Sequence, residues 1–530
     1  MSREQTRQNS FFGGAAILAA GIALVKVIGA IFKIPIVRIL GEASYADFSN
    51  AYYIYSILLT VSTAGLSVAL SKMVAASHAV EQDGQVRKVF RVSLTVFFVL
   101  GFGSFLLMFF GNVFLADRMN DTQAAAAIRY LAPAVVCVSL LSSFRGYAQG
   151  HSYMVPSAVS QVIEALGKLL IGLPLAYLAV EAGKGEDLCA AYAILGVTVG
   201  EALALVYMVL EYLRNRPTGR PLMPAMSSSG SILRELMVIA IPITLTSSAV
   251  SVINTIDASV VQGQLQNALG MAEEQSRTLF GAYSGVQNIY NLPASFIIAV
   301  TASVIPNVSA AMAQGRQKEA GRVVKAAFHV TALLVFPMGV GMSVLAEPIV
   351  RLLFKPKDPA LSGALLAILG IASICVCMVS VSNAVLQAYG YQRLPIGVMV
   401  AAGSAMLLID YNLVAVPSIN IFGSPIGTLC CFTIAAAVDF FLIRRLIPSP
   451  PRFFRLFFGP ALATAVMGVA AWGSYRLVHL VLGNTLSVLI AILVAVAVYA
   501  FLVIYLKLLS RSELKLMPKG DKLADILKLP

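Results

Sequence analysis

Five basic residues of this chain fall inside stretches that are otherwise apolar: Lys26, Lys33, Arg38, Arg145 and Lys168. A charge at bilayer depth is costly unless it faces water, protein or an opposite charge. Lys26 and Lys33 are seven residues apart with no acid between them, so they share one helix face about 10 Å apart along its axis. Two such cations suit an anion-binding cavity; the competing reading is snorkelling toward an interface, which fits Arg38 better. Arg145 stands in Ser143–Gly150 (SFRGYAQG), and Glu164 and Lys168 follow four apart, in the order that favours a helical ion pair. With Arg145 beside it, that pair leaves a net positive trio, suited either to hold a phosphate or to clasp two helices together. The substrate-binding candidates are therefore Lys26, Lys33, Arg145, Glu164 and Lys168, and their chemistry is recognition of an anion.

The acids at depth are Glu201, Asp257, Asp410 and Asp439. Asp257 follows Asn254 and Thr255 in a polar stretch, which makes it the coupling-ion candidate, for a monovalent cation or a proton. Asp439, five residues before Arg444, is expected at an interface. The six cysteines have no His or carboxylate neighbours at metal-ligand spacing and the four histidines are scattered, so neither a metal site nor a cofactor is expected.

Elements long enough to carry these residues across a bilayer dominate the chain. It has 530 residues, 58% hydrophobic and 12% charged, with mean hydropathy +0.84. A soluble core could not hide that much apolar surface. Apolar spans fall near 11–40, 50–71, 91–112, 127–147, 157–180 and 188–212, then near 236–262, 280–306, 326–347, 361–387, 396–416 and 425–443, and last near 456–478 and 485–508. Polar and Pro-containing links at Arg214–Ser231 and Arg444–Arg455 separate the sets. The expectation is an all-α integral membrane protein of about 14 helices. Two pseudo-symmetric six-helix lobes (1–222 and 223–450) precede two further helices with a basic tail (451–530).

The net charge of +13 is segregated: 25 of the 38 Lys and Arg lie in alternate segments that share one side when the N-terminus is inside. Outer loops take eight, Arg277 among them. That asymmetry is the positive-inside rule and predicts both termini in the cytoplasm; the expected location is the bacterial cytoplasmic membrane. It also accounts for the basicity without nucleic acid, since no aromatic-rich basic face accompanies it. The tail after Ser510 is basic and partly amphipathic, suited to anionic headgroups or to plain solvation.

The halves echo each other. Ala69–Gly103 and Val304–Met338 each pair an apolar helix with a short basic loop and a second apolar helix, and Tyr147–Pro156 (YAQGHSYMVP) is echoed by Ala388–Pro395 (AYGYQRLP). Membrane proteins built from two similar bundles usually carry their substrate between them.

Two stretches carry a resemblance to a known family: Lys26-Val-Ile-Gly29 through Arg38-Ile-Leu-Gly41, and Arg145-Gly-Tyr-x-Gln-Gly150 with Pro156-Ser-Ala-x-Ser-Gln-Val-x-Glu164 and Lys168. The chain resembles the multidrug/oligosaccharidyl-lipid/polysaccharide exporter superfamily, and within it the polysaccharide-biosynthesis branch of stage V sporulation protein B and MurJ-type lipid II flippases. The resemblance implies a V of two lobes, a cation-lined cavity that includes Lys26, and an apolar groove for a lipid tail formed by the last two helices. The implied activity is not enzymatic. It is movement of a polyprenyl-pyrophosphate-linked cell-wall or polysaccharide precursor by alternating access, with membrane lipids as partners. The chain departs from the family at Phe32–Lys33, at Leu59–Thr60 and at Gln287–Asn288, where cavity cations of the family have no match or a shifted one, so its expected cavity is less basic. The alternative is a drug/cation antiporter of the same superfamily, which should centre its cavity on acids. A membrane glycosyltransferase is disfavoured by the short loops.

Overall fold

The computed structural model describes residues 3–80, 82–215 and 227–508, and all regular structure among them is helical. The expected division at 222/223 and the tail after Ser510 lie outside the described residues.

The first helix, α1 (Arg3–Ala79), runs for 77 residues. At 1.5 Å per residue that is about 115 Å, far more than the roughly 30 Å of hydrocarbon in a bilayer. The break comes at Gly41, with φ 74° and ψ 177°, a conformation open to glycine and strained for any residue with a Cβ. The first two expected spans are thus two helices that meet at this kink. There follow α2 (Asp83–Phe110), the short α3 (Asn112–Arg118), α4 (Ala124–Gly150), α5 (Val155–Gly167), α6 (Leu173–Glu181), α7 (Glu186–Arg214), α8 (Ser229–Asn267) and α9 (Glu273–Tyr290). A π-helical turn, Lys168–Gly172, joins α5 to α6. Ser228 caps α8, its side chain accepting from the Ser231 N–H at 3.2 Å. That helix bends by 40° between Ser229–Leu245 and Ser247–Asn267.

The remaining helices are α10 (Leu292–Ala313), α11 (Gln317–Val344), α12 (Ala346–Leu353), α13 (Pro359–Ala388), α14 (Leu394–Val414), α15 (Gly423–Leu446), α16 (Phe453–His479) and α17 (Asn484–Tyr505). Asp358 starts α13 by accepting from the N–H groups of Ala360 and Leu361, both at 3.0 Å. Among the described residues 11 helices are long and apolar enough to cross a membrane, or 12 with the bent α8 counted as one span. The chain is a multi-pass membrane protein.

By packing it forms two compact units, one ending at Gly281 and the other beginning at Ala282, within α9. In the first, α4 lies against α1, α2 and α7, and α1 also packs on α8. Leu70, Phe97, Leu141 and Leu236 are buried where these helices meet. In the second, α13 packs on α10, α11 and α15, and α16 lies against α17 and α11. Phe328 and Val381 sit in that core.

Candidate functional site

Glycines set the site of the first unit. A Cβ on Gly167 would come 2.3 Å from the Cα of Gly200, and one on Gly196 would come 2.3 Å from the Cα of Gly172. Only the bare backbones let α5 and the π turn lie this close to α7, as small residues do at membrane helix crossings. The π turn inserts one extra residue and re-aims the side chains beyond it; such turns are frequent at functional sites. Lys168 is its first residue.

That crossing gathers the predicted trio. Lys168 Nζ lies 2.8 Å from Glu164 Oε1, and Arg145 Nη2 lies 3.4 Å from Glu164 Oε2. Arg145 Nε donates to Ser160 Oγ at 2.8 Å, which orients the guanidinium. Lys168 Nζ also stands 6.0 Å from the centroid of the Tyr52 ring, at the outer limit of a cation–π contact. Arg145 is 13% exposed and Glu164 and Lys168 are each 20% exposed, so all three keep surface for a ligand.

Lys33 is exposed on α1 and lies within electrostatic range of both Lys26 and Lys168. Lys26 is exposed and makes no ion pair among the described residues. The structure therefore brings four of the five predicted residues into one neighbourhood through Lys33, with Lys26 at its edge. Asp257 is buried on α8, on a helix that supplies none of the trio.

Three participants were missed. Tyr52 and Tyr55 come from α1, and Glu201, buried on α7, accepts from the Tyr55 hydroxyl at 3.4 Å. A signal for this was present in the Gly167, Gly172, Gly196 and Gly200 pattern, which marks the crossing that joins them.

Two expectations are corrected. Arg277, counted with the outer loops, is 5% exposed on α9. It grips Asp47 through Nε and Nη2 at 2.8 and 2.7 Å and approaches Asp121 at 3.3 Å and Glu186 at 3.2 Å. Asn50 donates to Asp121 at 2.6 Å and exchanges hydrogen bonds with Gln262, both at 3.1 Å. Charge type alone could not distinguish a loop arginine from one whose partners lie 230 residues away. Asp439, expected at an interface, is fully buried in the second unit, on a helix packed between α13 and α14.

The second unit holds an apolar cavity of about 720 Å³ whose walls include Leu333 and Pro337 of α11, Met467 of α16, and Ile492 and Val496 of α17. The last two helices thus line a slot wide enough for hydrocarbon.

The first unit thus holds a cationic cluster and the second an apolar slot. The polysaccharide biosynthesis protein family matches residues 11–312, more than half of the chain, and the MatE family matches residues 242–411. The chain belongs to the polysaccharide biosynthesis protein family, within the multidrug/oligosaccharidyl-lipid/polysaccharide exporter superfamily, and is a membrane flippase or transporter, not an enzyme. It is 23% identical to the lipid II flippase MurJ of Bacillus subtilis over 82% of each chain. It is 22% identical to stage V sporulation protein B of the same organism, over 96% of this chain and 98% of that one. Among solved structures, the inward closed conformation of the lipid II flippase MurJ superposes with a TM-score of 0.71 at 14% identity, covering 93% of this chain and 99% of the other, which is a likeness of fold.

Proposed function

We propose that this protein moves a polyprenyl-pyrophosphate-linked cell-wall precursor, lipid II or a related lipid-linked oligosaccharide, outward across the cytoplasmic membrane by alternating access. The observation that carries the reading is the excess of cations at the glycine crossing: Arg145 and Lys168 both pair with Glu164, and Lys33 lies within electrostatic range of Lys168. A pyrophosphate cannot cross hydrocarbon unshielded, and partly desolvated cations with a remaining free face can replace its water. Lys26 and Lys33 would meet the headgroup first and Arg145 and Lys168 would hold it, with Glu164 keeping both side chains in place.

Several finer readings belong with this proposal. If α1 counts as two spans about Gly41, the 12 spans become fourteen, as a six-six-two arrangement (1–222, 223–450, 451–530) requires. Both termini would then be cytoplasmic. Asp257 would bind the coupling cation or proton. The match to the MatE family keeps a drug/cation antiporter as the second reading. The sign of the trio opposes it, because a cationic drug would be repelled.

The test is rescue of cells whose own lipid II flippase can be shut off. Survival with wild type and death with Lys168→Met at equal membrane expression supports the proposal. Survival with both removes the trio from the mechanism. No rescue by well-expressed wild type moves the substrate to another polyprenyl-linked saccharide.

A further inference from the structure

A second cationic site stands in the second unit, apart from the trio. Lys318, Arg322, Lys325 and His329 form one stripe of α11, at spacings of four, three and four residues. Arg452 and Arg455 face it from the start of α16, and together they line a cavity of about 610 Å³. No carboxylate lines it among the described residues. The nearest acid on the helix, Glu319, is already paired with Arg316 at 2.6 Å. Lys318, Arg322, Lys325, Arg452 and Arg455 make no ion pair among the described residues.

The cavity is built, not merely a bristle of surface lysines. Gly321 lets the Ser449–Pro451 turn close on α11: a Cβ there would come 2.8 Å from the Cβ of Ser449. Gly459 likewise lets Leu508 close the other side, where a Cβ would come 2.6 Å from its Cδ2. Like charges held around one cavity repel, and the fold carries that cost until an anion enters.

The same three elements then change character along their length. The stripe of α11 ends at His329, and from Leu333 the helix lines the apolar slot; α16 passes from Arg455 to Met467, and the α17 end from Leu508 back to Ala500 and Val496. Lys325 and Leu333 are eight residues apart, about 12 Å along the helix. Phe454 and Phe458, both exposed, flank the basic end. A ligand that fits has an anionic head and a hydrocarbon chain beginning about a dozen Å away.

We propose that this cavity binds the phosphodiester headgroup of an anionic membrane phospholipid, with one acyl chain lying toward the apolar slot. On the charge asymmetry of the chain it faces the cytoplasmic leaflet. The proposal does not depend on which substrate is carried. It makes the second unit's lipid contact selective and gives transport a dependence on anionic lipid.

The experiment is native mass spectrometry of the purified full-length protein with phosphatidylglycerol or phosphatidylcholine as probe. Wild type should retain phosphatidylglycerol preferentially. Arg322→Gln/Lys325→Gln/Arg455→Gln should weaken it about a hundredfold, at about fivefold per cation near a membrane surface. Arg87→Gln/Arg91→Gln/Arg234→Gln, which removes three cations of the first unit, should keep the preference. Equal retention in the pocket variant, or equal loss in the control variant, overturns the proposal. A polyprenyl pyrophosphate probe separates the sources: if the pocket variant loses that probe but keeps phosphatidylglycerol, the cavity belongs to the substrate path instead. The single variants Lys325→Gln and Arg455→Gln should each show a smaller loss of the same sign, which keeps the test valid if the triple variant misfolds.

Discussion

The first unit contains two ionic clusters made of the same side-chain types, and they are put together differently. In one, Arg277 is 5% exposed and Asp47 and Asp121 are fully buried. Its guanidinium donates through two nitrogens to one carboxylate, with further carboxylates around it and an Asn50–Gln262 pair behind. In the other, Arg145 and Lys168 share Glu164 and all three keep 13–20% of their surface. The first cluster has an excess of acid and closes on itself. The second has an excess of base and a face left open. A buried charge with every valence met holds helices; a partly exposed one with spare charge is available to a ligand.

If that contrast is right, breaking the first cluster should cost stability and breaking the second should cost transport. The largest effect is expected for Arg277→Gln, which strands Asp47 and Asp121 in the interior. Removing one partner of a buried ion pair costs about 3–5 kcal/mol. A thermal melt of the purified protein should show a drop of that order, and a melt like wild type's would mean that the carboxylates find other partners and that the network is not a brace.

Next in size is Gly167→Ala. The new Cβ would meet the Cα of Gly200 at 2.3 Å, which is backbone and cannot swing aside. Overpacking of this kind costs about 1–3 kcal/mol, and it should move the π turn that carries Lys168, so stability and transport should fall together. Loss of stability with unchanged transport in proteoliposomes would detach the crossing from the site.

Lys168→Met addresses the second cluster directly. Expected is a fall in transport of about tenfold or more, with stability within about 1 kcal/mol of wild type, because partly exposed ion pairs contribute little. A stability loss as large as that of Arg277→Gln would make the trio a clasp and dissolve the comparison.

How far each cluster could be read from the residues depends on where its partners lie in the chain. Glu164 and Lys168 are one helical turn apart, and Arg145 stands 19 residues before Glu164 in the adjoining helix, so local spacing was enough to join them. Tyr55 reaches Glu201 across 146 residues and Arg277 reaches Asp47 across 230, and no local period connects such pairs. Their helices meet only through tertiary packing. The spans themselves were legible because the bilayer imposes length and apolarity on each segment separately. So was the boundary between the first two: the expected first span ends at residue 40, and the backbone leaves helical geometry at Gly41. Arg277 misled for the same reason that Asp439 did: near a span end, charge suggests water, and only packing decides whether water is there.

Asp439 supplies the limiting case and the smallest effect. It is fully buried, and both carboxylate oxygens have no hydrogen-bond partner among the described residues. By the logic of the two clusters it neither braces nor binds, so its charge should be a net cost to the fold. Asp439→Asn keeps the shape and removes the charge, which should stabilise the protein by about 1 kcal/mol, since an unpartnered buried amide costs less than an unpartnered buried carboxylate. A thermal melt measures this. Destabilisation instead would mean that the carboxylate is held by something the amide cannot replace, such as a bound cation, and the second unit would then have an ion site of its own to set beside the trio of the first.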